Sequence, residues 1–324
     1  MKPARLVMVS LAAAALAAVS LPCAAQGYPA KPVLVVMPLQ AGSAVDVMIR
    51  IVAQRMSENL GQQILIENQP GAAGSIGAER VKRAPADGYT VGVLNDSILT
   101  MIPNIRKVGY DPVKDFEPVG VVAAITWVMV VNNDVPVKTV REFIDYAKGR
   151  PGRIDYSSGG NGSPQHVAME AFKAATGIDL VHIPYKGATQ AAIDIMSGRV
   201  QAHFGAVSIV QPYIKDGRMR ALGVPSAARS PLLPDVPTMA EAGVPAFEWR
   251  TWASFVVPLR TPKPVVDRLN AELVRAVKAP DVRDKLIAQG LEPVGSGPET
   301  VTRWTRDGLA RMRDIVKRAN IQAE

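Results

Sequence analysis

Short runs of β-branched and aliphatic residues alternate with amphipathic segments along most of this chain of 324 residues. The first unit opens with the apolar run Val33 to Met37, followed by apolar residues at helical spacing from Val45 to Leu60. A second extended run follows at Ile64 to Ile66. Strand and helix patterns in alternation are typical of α/β folds. We therefore predict an α/β fold in which each sheet is mostly parallel and flanked by helices.

The pattern restarts after a long β-rich run from Val119 to Val131, which indicates a second α/β unit. Later, an extended segment from Glu248 to Pro258 is followed only by helices. We infer that the chain returns to the first unit, with crossings near residues 123–130 and 248–254 that form a hinge around a cleft. The predicted lobes are residues 26–124 with 250–324 for lobe 1, and residues 125–249 for lobe 2.

The first 25 residues have the composition of a secretory signal peptide. Lys2 and Arg5 precede an uncharged run from Leu6 to Leu21, and small residues follow at Cys23-Ala24-Ala25. The run is short and rich in alanine for a membrane span. We predict cleavage after residue 25 and export to the periplasm. Lipidation of Cys23 is the alternative. Because Cys23 is the only cysteine, the exported chain has no disulfide available.

The composition argues against several classes of partner and chemistry. The formal charge of +8 drops by two when Lys2 and Arg5 are removed, and a mild positive excess suits anionic small molecules. Basic residues are dispersed and aromatic residues make up only 5%, so we expect no nucleic-acid partner. The three histidines lack metal-ligand spacing, and H-E-x-x-H, C-x-x-C and G-x-S-x-G motifs are absent from the sequence. We predict no metal, no cofactor and no catalytic group.

Two loops rich in glycine and serine are the best candidates for a binding site. The first, residues 40–44, enters a helix with Ser43 as N-cap and Asp46 in the first turn. The second, residues 157–163, enters a helix with Ser163 as N-cap and Pro164 after it. Backbone N–H groups at such helix starts bind anions without a cationic side chain. Each loop alone could equally be a simple cap, but one in each lobe favours a carboxylate site.

Other strand ends supply further candidates. Asp96 and Ser97 follow the third predicted strand, Thr90 to Leu94, and could line the cleft or form a solvated turn. Lys186 could bind an anion or be solvated, and a hydrolase using Ser158 or Ser163 with His166 is a weaker alternative. The segment from Gly71 to Gly77 is interpreted as a turn into a helix. The candidate ligand-binding residues are Gln40, Gly42, Ser43, Ala44, Asp46, Asp96, Ser97, Ser157, Ser158, Gly159, Asn161, Gly162, Ser163, His166, Tyr185, Lys186 and Ala206.

At these segments the chain resembles the Bug-type extracytoplasmic solute receptors of tripartite tricarboxylate transporters, over essentially the whole mature length. The matching segments are residues 28–32, 38–46, 68–74, 86–90, 157–163 with His166, 182–187, 234–238 and 241–243. The resemblance implies a two-lobed periplasmic binding protein fold, type II-like, joined by two crossing strands. It also implies a small carboxylate ligand held by backbone amides and bound water from both lobes, and a permease as partner.

The first loop departs from the family pattern. Where such receptors carry a proline followed by glycines, this chain has Ala41-Gly42-Ser43-Ala44, and Gln40 is larger than the small residue expected. We expect anion binding by backbone N–H groups to survive this change, whereas the identity of the carboxylate stays open. We expect a monomeric transport receptor. The alternatives are a sensor subunit that presents the same ligand to a signalling protein, and an enzyme.

Overall fold

The structure is a computed structural model that describes residues 27–245 and 247–321. The predicted signal peptide, its cleavage site and Cys23 lie outside the described residues. Within those ranges the strands form two separate sheets, one of six strands and one of five. This arrangement confirms the two-lobed α/β fold. In the part of the chain that the structure describes, no helix is long and apolar enough to cross a membrane.

The first sheet combines strands from both ends of the chain, and we call the part of the molecule built on it lobe 1. Its strands are β1 (Val33–Met37), β2 (Ile64–Asn68), β3 (Thr90–Asn95), β4 (Phe116–Ile125), β10 (Thr251–Pro258) and β11 (Leu291–Pro293). They lie in the order β11-β4-β10-β3-β1-β2. Strand β1 is parallel to β2 and β3, whereas β10 is antiparallel to β3 and β4, and β11 is antiparallel to β4.

The second sheet is built from the middle of the chain, and we call this part lobe 2. Its strands are β5 (Trp127–Asn132), β6 (Asp155–Ser158), β7 (Val181–Pro184), β8 (Ala202–Ala206) and β9 (Met219–Gly223), in the order β7-β6-β8-β5-β9. Strand β6 is parallel to β7 and β8, whereas β5 is antiparallel to β8 and β9. Both sheets are therefore mixed, where mostly parallel sheets were expected. The antiparallel pairs arise largely because β5 and β10 enter their sheets from the other lobe.

Helices flank both sheets. They are α1 (Ala44–Leu60), α2 (Ser75–Arg83), α3 (Ile102–Ile105), α4 (Val140–Lys148), α5 (Pro164–Thr176), α6 (Ala188–Met196), α7 (Val207–Lys215), α8 (Lys263–Lys278), α9 (Pro280–Ala288) and α10 (Pro298–Arg318). Helix α1 shows why the sequence pattern was informative: Met48, Ile49 and Val52 are fully buried, and Gly61 ends the helix with φ of 65°.

The β-rich run divides at Thr126, within residues 123–130 where a crossing was predicted, so that β4 belongs to lobe 1 and β5 to lobe 2. Two elements differ from the prediction. A buried π-helical turn at Ser97–Met101 precedes α3, where no helix was predicted. Strand β11 adds to the lobe 1 sheet after α9, where only helices were expected.

The crossings lie side by side. Ile125 at the end of β4 pairs with Thr251 at the start of β10. Across the junction, the Trp127 indole N–H donates to the Thr251 hydroxyl at 2.8 Å, and the Val207 N–H donates to the Thr126 carbonyl at 2.9 Å. Because the two crossings meet at this junction, we propose that the lobes divide there, into residues 26–124 with 250–324 and residues 125–249.

Candidate functional site

A cavity of about 530 Å³ lies between the lobes. In lobe 1 it is lined by residues after β1, β2 and β3, and in lobe 2 by residues after β6, β7 and β8. This is the position expected for a ligand in α/β sheets, beyond the carboxyl ends of the strands. Ile125 and Trp127 at the crossing also line it.

The first loop forms a capping box at the start of α1. The Ser43 hydroxyl accepts a hydrogen bond from the Asp46 N–H at 3.3 Å, and the Gly42 N–H donates to the Asp46 carboxylate at 3.0 Å. Gly42 has φ of 77°, in the left-handed region that favours glycine. The loop therefore turns the start of α1 towards the cavity while its own polar groups are satisfied.

The second loop repeats this geometry at the start of α5. The Ser163 hydroxyl accepts from the His166 N–H at 3.4 Å, and the Gly162 N–H donates to Nδ1 of His166 at 3.1 Å. Gly162 has φ of 76°, and Ser163 has φ of −68° and ψ of 158°, nearly the values of −68° and 159° at Ser43. The two lobes thus present the same helix start to one cavity.

The charge behind the first loop is compensated. Arg50 donates to both carboxylate oxygens of Asp46, at 2.9 and 3.1 Å, and the Asn68 amide donates to one of them at 2.9 Å. Burial raises the pKa of Asp46, but these hydrogen bonds outweigh it and hold the pKa below its usual value. Asp46 is therefore an ionised structural group, occupied by its partners.

Behind the second loop lies a stack of neutral rings. The His166 and His182 rings are parallel with centroids 4.0 Å apart, and Tyr156 also stacks on His182, at 4.9 Å between centroids. Burial, together with the neighbouring His166 and Lys173, lowers the pKa of His182 to about 3. Nδ1 of His166 accepts a hydrogen bond from the Gly162 N–H, so in this arrangement Nδ1 carries no proton itself.

Helix starts dominate the electrostatics of the cavity. Five helices, α1, α2, α5, α6 and α7, begin at lining residues, and their N-caps are Ser43, Gly74, Ser163, Gly187 and Ala206. Helices α2, α6 and α7 have Gly74, Gly187 and Ala206 as N-caps, which provide no side-chain cap. The backbone N–H groups at these three helix starts therefore stay available. The described lining residues include no aspartate or glutamate, whereas Arg106 and Lys186 are present. The cavity is suited to an anion.

The lobes touch across the cavity. The Ser97 hydroxyl in lobe 1 donates to the Gly162 carbonyl in lobe 2 at 2.9 Å. A Cβ atom at position 162 would lie 2.5 Å from Cδ1 of Ile102, and one at Gly187 would collide with the Gln40 side chain. The arrangement is that of closed lobes, in which glycines permit close approach.

The candidate residues from the sequence fall into two groups. Those that line the cavity are Gln40, Ser43, Ala44, Ser97, Gly159, Asn161, Ser163, Tyr185, Lys186 and Ala206. Those that lie behind it are Gly42, Asp46, Asp96, Ser157, Ser158, Gly162 and His166. Their ligand contacts stay predictions.

The residues behind the cavity have identifiable partners. The Ser157 hydroxyl donates to the Ala191 carbonyl at 3.2 Å and lies 3.1 Å from Nδ1 of His203. Burial raises the pKa of Asp96 well above its usual range, although backbone N–H groups act in the opposite direction. Ser157 and Asp96 are therefore buried groups behind the cavity.

The serines and histidines do not form an accessible nucleophile and base. The Ser163 hydroxyl bonds the backbone of His166 rather than its ring. The Ser158 hydroxyl lies 2.6 Å from Nε2 of His182, but Ser158 is 0% exposed. A substrate carbonyl therefore has no approach to this pair in the closed arrangement.

Several lining residues were not among the candidates, and two parts of the lining matter most. The segment Gly71–Gly74 does turn into helix α2, as predicted, but it also lines the cavity, with Ala72 and Ala73 at φ of 47° and 53°. Arg106, which follows α3, also lines it. Nothing local in the sequence marks this arginine, since a solvated arginine after a short helix has the same pattern.

Fold and cavity together define a two-lobed solute-binding protein. The family model TctC, the tripartite tricarboxylate transporter family receptor, matches residues 48–321, and the chain belongs to this family. BugT of Bordetella pertussis is 32% identical over 308 residues, which cover 94% of this chain and 94% of BugT. The resemblance to Bug-type receptors is thereby confirmed.

Two solved structures extend the comparison. The periplasmic binding protein BugD superposes with a TM-score of 0.86 at 31% identity, over 92% of this chain and 100% of BugD. An R. palustris protein in complex with adipate superposes with a TM-score of 0.88 at 34% identity, over 91% of this chain and 99% of that protein. The adipate complex is a property of that protein, and adipate is a small dicarboxylate.

Proposed function

We propose that this protein is a periplasmic receptor that captures a small carboxylate between its lobes and delivers it to the permease of a tripartite tricarboxylate transporter. The observation that carries the proposal is the lining of the cavity. Five helix starts converge on it and its described lining contains cations but no acidic side chain. Helix N-termini favour negative charge, because their N–H groups lack intrahelical acceptors.

The ligand would be held mainly by backbone. The capped loops at Ser43 and Ser163 have their side-chain oxygens occupied by Asp46 and His166 N–H groups. The backbone N–H groups of Ala44 and Val45 in lobe 1 and of Gln165 in lobe 2 are then the natural donors to a carboxylate, because these residues line the cavity and Pro164 has no N–H. Binding of this kind needs no metal and no organic cofactor, and we propose that the protein uses neither and catalyses no reaction.

A ligand screen tests the proposal. Mono-, di- and tricarboxylates, amino acids and aromatic acids are compared by thermal shift, then by calorimetry. A ligand at 100 times its Kd should stabilise the protein by about 2.7 kcal/mol. The methyl esters or amides of each hit are the matched controls and should not bind, because they carry no charge. A protein that binds esters as tightly as acids, or binds only after a divalent ion is added, contradicts the proposal.

Export and partner are tested separately. Mass spectrometry of the periplasmic protein should find a start near residue 26; an intact Met1 or a lipid-modified Cys23 contradicts cleavage after residue 25. Crosslinking of the exported protein in membranes should capture a transporter subunit in a ligand-dependent manner. Capture of a signalling protein instead would favour the sensor alternative, and size-exclusion chromatography should show a monomer.

A further inference from the structure

We propose that Arg106 binds a second acidic group of the ligand, so that the protein selects small diacids over monoacids of the same length. This inference rests on the proposed function and assigns a specificity-determining residue within its site. Arg106 lies at the cavity, and its side chain is held in place with donors to spare.

Arg106 is placed where a ligand can reach it without leaving the cavity. It follows helix α3 directly, lines the cavity and is half-buried. Among the described residues, its side chain makes one hydrogen bond, from the guanidinium to the Ala72 carbonyl, and forms no ion pair. A guanidinium has five N–H donors, so most of them remain for a ligand.

The neighbourhood fixes the guanidinium. The Asn104 amide donates to the Thr100 and Leu309 carbonyls at 2.7 and 3.0 Å, which ties α3 to helix α10. Ala72, the acceptor of the Arg106 hydrogen bond, lies in a loop with left-handed backbone at positions 72 and 73, at φ of 47° and 53°. Left-handed backbone is unfavourable for alanine, so such a loop persists only when its surroundings hold it. A site held in this way is preorganised for a ligand.

The first carboxylate does not need Arg106. The paired helix starts at Ser43 and Ser163 can bind one anion by backbone alone. A monoacid bound there would leave the half-buried Arg106 guanidinium without an anionic partner. A second carboxylate would accept two parallel, charge-assisted hydrogen bonds from it. The cavity of about 530 Å³ has room for such a ligand.

Lys186 is the competing cation. It also lines the cavity, but its side chain is exposed and it makes no hydrogen bond or ion pair among the described residues. A flexible, solvated ammonium gains less from a ligand than a fixed guanidinium does. We therefore assign the second acidic group to Arg106 rather than to Lys186.

The test compares diacids with monoacids of equal chain length, adipate with hexanoate and succinate with butyrate, by calorimetry. The proteins are wild type, Arg106→Gln, Arg106→Lys, Lys186→Gln and, as a control outside the cavity, Arg55→Gln. Wild type should prefer the better-fitting diacid over its monoacid. Arg106→Gln should weaken diacid binding by roughly tenfold to a hundredfold and change monoacid binding by less than about threefold. Arg106→Lys should fall between, and the other two variants should keep the diacid preference.

Each other outcome overturns the inference in its own way. If Arg106→Gln weakens both acids equally, the arginine acts only by holding the Ala72 loop; thermal unfolding of the variant shows whether the fold itself has suffered. If Lys186→Gln removes the preference instead, Lys186 binds the second group. If wild type binds monoacids as tightly as diacids, the carboxylate receptor stands and the role of Arg106 does not. If wild type binds no acid at all, the proposed function fails as well.

Discussion

The loops that open helices α1 and α5 have nearly the same backbone but different chemistry behind them. Both use glycine at φ near 76°, a serine cap, and a side chain three residues after the serine that accepts from the glycine N–H. In lobe 1 that side chain is Asp46, with Arg50 and Asn68 as partners. In lobe 2 it is His166, stacked on His182. The shared element is therefore the helix start, and not a charge.

The difference shows how each lobe avoids presenting a negative charge to an anionic ligand. Lobe 1 tolerates a carboxylate because Arg50, four residues later, neutralises it. The equivalent position in lobe 2 is Glu170, which accepts from the Tyr156 hydroxyl at 2.6 Å and pairs with Lys173 at 2.9 Å. An acid at position 166 would face another acid across one helical turn. Because Glu170 lies four residues later, a neutral acceptor is favoured at position 166.

Exchange of the acceptor should have the largest effect. His166→Asp keeps an acceptor for the Gly162 N–H but adds an uncompensated charge behind the site. Over roughly 6 Å at an effective dielectric constant near 20, repulsion of a bound carboxylate amounts to about 2–3 kcal/mol, or on the order of a hundredfold in Kd. Calorimetry measures this change in Kd. His166→Asn is the matched control, with an acceptor and no charge, and should bind within about threefold of wild type. Equal affinities for the Asp and Asn variants would show that charge behind the loop is unimportant.

The second prediction concerns pH, because all three histidines lie in lobe 2. Burial lowers the pKa of His203 to about 4, although the Ser157 carbonyl acts in the opposite direction. The unfolded chain takes up a proton below pH ~6.5 and the folded chain does not, so stability is full above that pH and falls as pH drops towards 4. His203 alone should contribute up to about 1.4 kcal/mol per pH unit in this window, and His182 acts in the same direction.

Denaturant unfolding at pH 7 and pH 5 measures this loss. The control is His203→Asn, whose absolute stability can differ but whose pH difference should be smaller than that of wild type. A pH difference that is unchanged in this variant would show that His203 does not set the acid sensitivity of lobe 2.

The same comparison shows how far sequence reasoning reaches. Helix α5 begins where it was predicted to begin, since Ser163 followed by Pro164 is an explicit start signal. A crossing was predicted near residues 123–130, but the residue at which the strand breaks, Thr126, was not identified, because both flanking strands are buried and the apolar run has no period that marks a change of sheet. The helix starts at Ser43 and Ser163 were predicted from local pattern. Arg106 was not, because its place depends on how α3 packs against the rest of lobe 1.

Closure across the two lobes should be sensitive at Gly187. This glycine has an extended backbone, at φ of 167°, so alanine is not strained there, but its Cβ would collide with the Gln40 side chain of lobe 1. Gly187→Ala should weaken ligand binding by about tenfold, because closure must displace Gln40. Small-angle scattering should show less compaction with ligand. The double variant with Gln40→Ala should recover the compaction and should bind as the Gln40→Ala single variant does, while Gly149→Ala, which meets only ordinary contacts, should behave as wild type.

The smallest effect is expected at the serine caps, where the two loops should be equivalent. Each serine hydroxyl accepts one long hydrogen bond, 3.3 Å at Ser43 and 3.4 Å at Ser163. Loss of an N-cap costs about 1 kcal/mol, so Ser43→Ala and Ser163→Ala should each lower the free energy of unfolding by about that amount. Binding should weaken only modestly, because the donors to the carboxylate are backbone N–H groups that alanine keeps. Parallel unfolding and calorimetry on the two variants measure both quantities. If one serine variant loses binding altogether while its stability falls by only about 1 kcal/mol, that hydroxyl contacts the ligand directly and the two helix starts are not equivalent.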